Sequence, residues 1–460
     1  MTVDAYTFPL NSQSDFICGE QKISGQQWAK ECLSLAREVN AYSERNWLLY
    51  HDDFYQYSQY FFALLLANKN IVLAQSDQCE RIKQAAKFAD ISIGNSNIAS
   101  ISTESAQGEQ LLPHFIRTKD GRQNSETSNS APDVLIINAN TCITLFTSGS
   151  TGEAKAIKKY WYQLANEIEC LQCLFPHENC CVLSTVTHKH IYGLLFKLIW
   201  PVFTNKHIIC ETIEYPEQVE HHCQTFNNTV LISSPSYLAR TSKQFSAQAI
   251  ASIKEIFCSG GALSANVAND FLESNQQVIT EIYGSTETGG IAWRQQTKNV
   301  QWQLLPEHQA TLAQDNTLVL KSNFLAKGET YKTDDRVELN GRFFSLLGRV
   351  DRIIKLHEKR LSLDELEVEL ACLPKISGCH CFVLESAKSK AVLVAVIELE
   401  KHCVVPDDTA NKKQLVNECK KALLSVFEPS LLPRKWRFVE QLPFNSQGKL
   451  EKAELVNLFK

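Results

Sequence analysis

The chain contains 460 residues, 44% of them hydrophobic, which is too long for one simple core and predicts two or three domains, at least one of them large. Lys and Arg number 46 against 51 Asp and Glu, so the net charge is -5 and no basic excess favours nucleic acid as the main partner. The first residues lack the basic start and apolar core of a signal peptide, and the longest apolar run, residues 60–67, is too short to span a bilayer. We therefore expect a cytoplasmic protein without a membrane span.

Sixteen cysteines raise the question of a metal site or of disulfides. They include a CxxC at residues 170–173, an adjacent pair at residues 180–181 and a Cys-His-Cys at residues 379–381. A zinc site needs two pairs at a regular spacing, which these positions do not provide. Reduced, mostly buried thiols are therefore the favoured interpretation.

The elements before residue 330 follow an α/β pattern. Residues 47–73 show the apolar periodicity of a helix, a turn at residues 68–70 and a short buried strand. Residues 117–132 are rich in Ser, Asn and charge, which predicts an exposed excursion. From residue 133 on, short apolar strands alternate with helical patterns and end in small or polar residues. This alternation predicts a layered α/β architecture with functional residues at the strand ends.

The pattern changes after Tyr331. Short strands are followed by a charged helix whose start is capped near Ser362. The sequence therefore predicts that a smaller α+β domain closes the chain.

A loop rich in hydroxyls and glycines, TLFTSGSTGEAK, occupies residues 144–155. It is not a Walker loop, because Lys155 follows the second glycine by three residues instead of directly. Its hydroxyls and its converging backbone N–H groups could still cradle a phosphate, with Lys155 supplying the positive charge. A mobile surface turn explains the loop alone equally well.

Three later segments offer partners for a nucleotide. Residues 283–288, YGSTET, place a ring, a hydroxyl and a carboxylate after an apolar run, as needed to stack a base, bind a phosphate and hold Mg2+. Residues 331–335, YKTDD, bring a carboxylate suited to ribose hydroxyls, although a simple acidic turn has the same composition. Residues 442–450, LPFNSQGKL, predict a turn that presents Lys449.

The segments TSGSTG, YGSTE, YKTDD, GRVDRIIK and PFNSQGKL follow one another in the order and at the spacings of the adenylate-forming superfamily. The chain resembles the acyl- and aryl-CoA synthetases, acyl-carrier-protein ligases and peptide-synthetase adenylation domains of that superfamily. This resemblance implies an α/β fold: a large multi-layer AMP-binding domain of mostly parallel sheets over residues 1–350 and a small mobile α+β domain over residues 351–460. The hinge between them is expected at Asp351.

The resemblance also implies roles for individual residues. Thr286 is expected at the α-phosphate, Glu287 on Mg2+, and Lys449 between the substrate carboxylate and the α-phosphate, so that Lys449, Thr286 and Arg349 are the expected catalytic residues. The expected ATP site consists of Thr147, Ser148, Gly149, Ser150, Thr151, Gly152, Lys155, Tyr283, Gly284, Asp335 and Arg349.

The acid pocket follows from the same resemblance, with a histidine at its gate. Its expected residues are His190, Tyr192, Gly193, Gly260 and Gly261. Further glycines at positions 284, 289 and 290 are expected to help leave a tunnel open. No aspartate for an amino group is evident nearby, which favours a fatty or aromatic acid over an amino acid.

The implied reaction converts ATP and a small carboxylic acid to an acyl adenylate and pyrophosphate. A phosphopantetheine thiol, of CoA or of an acyl carrier protein, then accepts the acyl group. Two alternatives stay open: a stand-alone amino-acid adenylation domain, and a degenerate member that binds a nucleotide or an acyl group for regulation. Asp334 and Glu358 stand where the superfamily usually has glycine. The charge at Asp334 would repel the nucleotide or face solvent. Glu358 replaces a glycine that commonly lets the turn of the small domain approach the pantetheine arm, so it makes a standard CoA channel less expected than the adenylation step.

Overall fold

The computed structural model describes residues 5–9, 15–74, 79–94, 114–116, 134–148, 154–356, 359–386, 389–400, 403–405, 409–444, 450 and 452–460. The chain forms two compact units, Met1–Gln309 with Lys321–Thr330, and Ala310–Leu320 with Tyr331–Lys460. The expected hinge at Asp351 concerns a movement and stays a prediction.

A six-stranded sheet lies in the first unit. Its strands are, from edge to edge, Ala154–Tyr160, Cys142–Ser148, Asn70–Leu73, Asn46–Tyr50, Ile91–Gly94 and His114–Ile116. All neighbours are parallel except the first two, which form an antiparallel hairpin. Strands Ala5–Pro9 and Val134–Asn138 form a separate antiparallel pair.

A second sheet of the first unit contains the strands that precede most of the predicted site segments. Its strands are, in spatial order, Trp302–Leu304, Gly289–Arg294, Ile279–Ser285, Ile253–Cys258, Thr229–Ser233, Cys181–Ser184, His207–Ile209, Asp15–Cys18 and Gln21–Ser24. The central six are parallel, and the outer strands are antiparallel. The inner parallel strands are buried on both faces, which explains why they read as continuous apolar runs such as CVLS and TVLIS.

Helices separate and cover these sheets. The described helices of the first unit are Gly25–Asn40, Phe54–Leu66, Cys79–Ala86, Trp161–Leu174, Ile191–Gly193, the π-helix Leu194–Ile199, Trp200–Phe203, Pro216–Thr225, Pro235–Thr241, Ala247–Ser252 and Ala265–Asn275.

Three apolar clusters define the layers. The largest packs Phe54–Leu66, Trp161–Leu174 and Leu194–Ile199 between the two sheets. A second cluster packs Cys79–Ala86 on the outer face of the six-stranded sheet, and a third packs Pro216–Thr225, with the helices that follow it, on the outer face of the other sheet. The first unit is therefore a stack of five alternating helix and sheet layers.

The second unit combines antiparallel strands with helices. It contains the larger parts of strands His308–Leu312, Thr317–Ser322 and Thr330–Asn340, whose remaining residues, His308 among them, belong to the first unit. Its other strands are Phe343–Arg349, the hairpin Ile353–Leu356 and Lys359–Ser362, and the sheet Ile376–Ser386, Ser389–Leu399 and Lys435–Val439. Its helices are Leu363–Ala371, Thr409–Leu423 and Lys452–Asn457, with 3-10 turns at Val350–Arg352 and Pro429–Leu431. Ser362 caps the first helix by accepting the N–H of Glu365, as the sequence predicted.

The predicted fold class, a large layered α/β domain with mostly parallel sheets and a small α+β domain, is confirmed. The expectation of reduced thiols is wrong for one pair, because Cys18 and Cys210 form a disulfide between the end of strand Asp15–Cys18 and the residue after His207–Ile209. Thirteen other described cysteines are free. The expected excursion at residues 117–132 lies outside the described residues.

Candidate active site

The parallel strand order brings several predicted segments to one edge of a sheet. Strands Cys181–Ser184, Thr229–Ser233, Ile253–Cys258 and Ile279–Ser285 are neighbours, so the residues that follow them share the carboxyl edge. That edge therefore gathers the His190 segment, the pair Gly260 and Gly261, and the turn 285–290. Ser259 links two of the strand ends, because its hydroxyl donates to the Ile282 carbonyl at 2.8 Å.

The turn 285–290 is a tight reversal between two antiparallel strands. Gly284 pairs with Gly290 and Ser285 with Gly289. A Cβ on Gly284 would lie 2.2 Å from the Gly289 carbonyl oxygen, so only glycine fits there. The hydroxyls of Ser285 and Thr288 lie 3.0 Å apart, and each accepts the other residue's N–H. The sequence YGSTET therefore forms a turn held by its own side chains.

Thr286 and Glu287 project from this turn and are half-buried. Within the described residues, the Glu287 carboxylate makes no hydrogen bond or ion pair, so its oxygens are available to a ligand. Mg2+ is typically bound by one or two carboxylates together with substrate phosphates. A lone available carboxylate beside a predicted phosphate site fits that requirement. No group of three or more His, Cys, Asp or Glu that could hold a metal occurs in the described part of the chain.

Tyr283, the residue expected to pack on adenine, precedes the turn. Its half-buried ring lies 5.4 Å from the Trp302 ring, and the Arg294 guanidinium lies 4.3 Å over that indole. Arg294 also forms a bidentate ion pair with the buried Glu281, at 2.8 and 2.9 Å. Tyr283 is thus supported from one side by a rigid aromatic and charged platform.

Two buried charges lie behind the turn, and sequence inspection missed both. Lys159 is 2% exposed, and its Nζ donates to the Glu287 carbonyl at 2.6 Å and to the Phe324 carbonyl at 3.1 Å. Glu167 is 3% exposed, and its Oε1 accepts the N–H of Gly290 at 2.6 Å. The sequence pattern could have indicated Glu167, because this charged residue lies on the apolar face of its helix, next to Leu164, Ile168 and Leu171.

Burial controls the ionisation of this pair. Burial lowers the pKa of Lys159 to about 8, against the opposing effect of the Glu167 and Glu287 carboxylates. Burial likewise raises the pKa of Glu167 to about 7, although the Gly290 N–H and Lys159 favour its charged form. Each side chain therefore makes the charge of the other less costly.

The predicted phosphate loop joins the two strands of a hairpin. Thr147 lies opposite Lys155 and Ser148 opposite Ala154. Thr147 is half-buried and Lys155 is exposed. Gly149, Ser150, Thr151 and Gly152 lie outside the described residues, as does the side chain of Ser148. The hairpin ends at Tyr160, directly after Lys159.

In the second unit, Arg349 forms ion pairs with three carboxylates. Its guanidinium forms a bidentate pair with Asp351, both bonds being 2.9 Å, and lies 3.3 Å from Asp335 and 3.5 Å from Asp334. The hydrogen bonds from Arg349 lower the pKa of Asp351. The side chain of Asp334 is 62% exposed. Of the two predicted outcomes for Asp334, the structure favours the one in which its charge faces solvent. Lys449 and Glu358 lie outside the described residues.

The expected acid pocket begins with a short helix. Gly193 is required there, because a Cβ would lie 1.9 Å from the Thr187 carbonyl oxygen. The Tyr192 ring packs 5.0 Å from Phe196, and burial raises the pKa of its hydroxyl well above the ordinary value. His190 is half-buried and precedes this helix. His188, two residues before His190, is a buried packing residue whose ring lies 4.3 Å from the Tyr57 ring.

The glycines expected to open a tunnel divide into two groups. Gly260 and Gly261 are exposed, Gly260 has a φ of +90°, and a Cβ on Gly261 would only touch Pro235. For Gly284, Gly289 and Gly290 the tunnel expectation is wrong. Their missing side chains make room for the backbone of the turn and for the Glu167 carboxylate, which would lie 2.5 Å from a Cβ on Gly289.

Comparison with known proteins decides the family. The profile described as "AMP-binding enzyme" matches residues 56–319, which is more than half of the chain. The chain belongs to the AMP-binding enzyme family. The identification as an adenylate-forming ligase, based on the resemblance above, is thereby confirmed at the level of the family.

Individual relatives of this AMP-binding enzyme are distant. It is 25% identical over 359 residues to the D-alanine–D-alanyl carrier protein ligase of Staphylococcus epidermidis, covering 68% of this chain and 71% of that protein. ATP-bound MatB from Rhodopseudomonas palustris matches with a TM-score of 0.79 at 16% identity, covering 98% of this chain and 96% of that one. The O-succinylbenzoate Coenzyme A synthetase of Bacillus subtilis, in complex with AMP, matches with a TM-score of 0.73 at 16% identity, covering 96% and 95%. Both structures share the fold.

Among the described residues, no helix has both the length and the apolar character needed to cross a membrane.

Proposed function

We propose that this enzyme adenylates a fatty or aromatic carboxylic acid with ATP and transfers the acyl group to a phosphopantetheine thiol. One observation carries the proposal: the available Glu287 carboxylate shares a sheet edge with the expected pocket segment, residues 187–193, that contains no acidic residue. The first feature suits a nucleotide with its metal. The second suits an acid without an ammonium group, because a buried ammonium needs a carboxylate partner.

Adenylation by this site needs positioning and electrostatics more than acid–base chemistry. A carboxylate is already a nucleophile at neutral pH, so no general base is required. Thr286 would donate to the α-phosphate, Tyr283 would pack on the adenine, and Asp335 would accept from the ribose hydroxyls. Glu287 would hold Mg2+, which supplies charge neutralisation at the departing pyrophosphate.

Lys449 would neutralise the charge that accumulates at the α-phosphorus as the carboxylate attacks. That contact strengthens in the transition state, so Lys449→Ala should abolish most adenylation while ATP binding persists. Thr147, Ser148, Ser150 and Thr151 would bind the β- and γ-phosphates from the loop. Equal loss of ATP binding and adenylation in the variant would contradict the assigned role.

For the acceptor we propose a carrier protein in preference to CoA. The sequence relative named above is a carrier protein ligase, whereas the likeness to a Coenzyme A synthetase is one of fold. A movement about Asp351 would let the thiol approach after pyrophosphate leaves. Arg349 suits a hinge contact, since exposed ion pairs exchange partners at little cost.

An amino-acid substrate is the second candidate, favoured by the D-alanine in the name of that relative. It is opposed by the charges at the pocket segment, because the nearby Asp52 carboxylate is already paired with Lys189 at 2.8 Å. Pyrophosphate exchange with fatty, aromatic and amino acids separates the two. Exchange with only alanine would overturn our choice of acid. Exchange with none, by folded protein that binds ATP, would indicate the regulatory alternative.

A further inference from the structure

Two buried side chains, Lys159 and Glu167, have no role in the proposed chemistry. They lie on strand Ala154–Tyr160 and on helix Trp161–Leu174, the elements that directly follow the phosphate loop. Burying a charge is unfavourable unless hydrogen bonds compensate for the lost water. The identity of those bonds therefore indicates what the pair does.

The bonds converge on the main chain of one turn. Lys159 holds the carbonyl oxygen of Glu287, and Glu167 holds the N–H of Gly290. His308 adds a third contact, with its Nε2 2.6 Å from the Gly290 carbonyl oxygen. Three side chains that are remote in sequence thus fix the backbone on both sides of Thr288.

The turn is shaped to receive these groups. Gly289 has a φ of +73°, which disfavours any residue with a side chain, and a Cβ there would collide with Glu167. Lys159 also belongs to the hairpin whose other end carries Thr147 and Lys155. A single ammonium group therefore connects the phosphate-loop hairpin to the residue whose carboxylate is the candidate Mg2+ ligand.

We propose that Lys159 and Glu167 are positioning residues that hold the turn 285–290 in the conformation presenting Thr286 and Glu287 to the nucleotide and its metal. This inference rests on the proposed function for the roles of Thr286 and Glu287. The contacts with the turn are independent of it.

Lys197 provides a matched control. It is fully buried, as Lys159 is, and its Nζ donates to the Glu211 carbonyl and to the Thr212 hydroxyl, both at 3.0 Å. These partners lie outside the turn. Lys197→Met and Lys159→Met therefore remove the same group from similar surroundings, and only the second releases the turn.

The first experiment measures amide hydrogen exchange of the protein without nucleotide or metal. In Lys159→Met we expect the amides of residues 285–290 to exchange at least about tenfold faster than in the wild type. In Lys197→Met the same amides should exchange at the wild-type rates. Glu167→Gln keeps the shape and an acceptor, and should speed exchange at Gly290 by about threefold. This variant decides the question if Lys159→Met does not fold. Unchanged exchange in the turn overturns the proposal.

The second experiment measures ATP affinity with Mg2+ and with a chelator. In Lys159→Met we expect the increase in ATP affinity that Mg2+ produces to be at least about fivefold smaller than in the wild type. The ATP affinity measured without metal should stay within about twofold of the wild-type value. An unchanged increase overturns the positioning role, even if the turn exchanges faster. If the wild type adenylates no acid, the proposed function fails, whereas the exchange and affinity results still decide the role of Lys159.

Discussion

Charged groups are used in opposite ways in two regions of this molecule. Behind the turn 285–290, Lys159 and Glu167 are almost completely buried and bind main-chain atoms. Around Arg349 the side chains are partly exposed, at 43% for Arg349, 62% for Asp334 and 17% for Asp335, and they bind one another. A buried charge that loses its partner is strongly destabilising, so it fixes one backbone conformation. Exposed ion pairs contribute little and rearrange easily, which suits a segment expected to move.

The largest expected effect is a loss of activity on substitution in the turn 285–290. Glu287→Gln should lower Mg2+-dependent adenylation by about 1,000-fold, because a neutral amide is a poor ligand for a hard cation and several kcal/mol of charge stabilisation depend on it. Pyrophosphate exchange measures the loss. Thermal unfolding should change little, since the Glu287 carboxylate makes no hydrogen bond or ion pair among the described residues and acts on Lys159 only through its charge. A loss below about tenfold would remove Glu287 from the metal site.

A second prediction concerns burial of a lysine away from the turn. Burial lowers the pKa of Lys197 to about 7, well below its ordinary value. The folded state then binds fewer protons than the unfolded state above about pH 7, so the stability of the wild type relative to Lys197→Met should increase with pH. The linkage relation gives about 2–3 kcal/mol between pH 7 and pH 9.

Urea unfolding at pH 7, 8 and 9 measures that change. Lys243→Met is the control, because Lys243 is 69% exposed beside Asp270 and the same substitution there removes a surface ammonium instead of a buried one. A stability difference that stays constant for Lys197→Met would show that this lysine keeps an ordinary pKa in the folded protein.

The third prediction addresses the exposed cluster. Arg349→Lys replaces a planar group that forms two bonds to Asp351 by a single ammonium, and should lower adenylation by about tenfold. Its effect on unfolding should be only about 0.5 kcal/mol, because exposed pairs are screened by solvent. Steady-state kinetics and urea unfolding together check this. A loss of stability larger than that of Lys159→Met would reverse our comparison of the two regions.

The smallest effect is expected at Asp334. Asp334→Gly restores the residue that the superfamily usually has, and should change the ATP dissociation constant by less than about threefold because the carboxylate is exposed and close to Arg349. Isothermal titration measures it. Tenfold tighter ATP binding in the variant would show instead that Asp334 repels the nucleotide.

The local conformation of the YGSTET and SLDE segments could be predicted from the sequence because each is a short contiguous segment. YGSTET contains the glycine and the hydroxyls that its turn needs, and the apolar run before it indicated a strand end. SLDE likewise contained its own helix cap at Ser362. The conformation of such segments depends mainly on neighbours within a few residues. The family followed from the order of these segments.

The contacts behind the turn could not be predicted in this way. Lys159 and the Glu287 carbonyl are 128 residues apart in sequence, and Glu167 and Gly290 are 123 residues apart. The same glycines that predicted an open tunnel at positions 289 and 290 turned out to accommodate Glu167.

The sequence by itself therefore determined the family, the layered α/β fold and the segments that follow the strands at the carboxyl edge of the sheet, because local patterns of glycine, hydroxyl and apolar residues specify turns and strand ends. Only the tertiary structure decided that a lysine and a glutamate hold the turn from behind, that Cys18 and Cys210 are joined, and that Asp334 faces solvent. These three facts depend on burial and on long-range packing, since whether a charge or a thiol finds a partner is fixed by which strands and helices become neighbours.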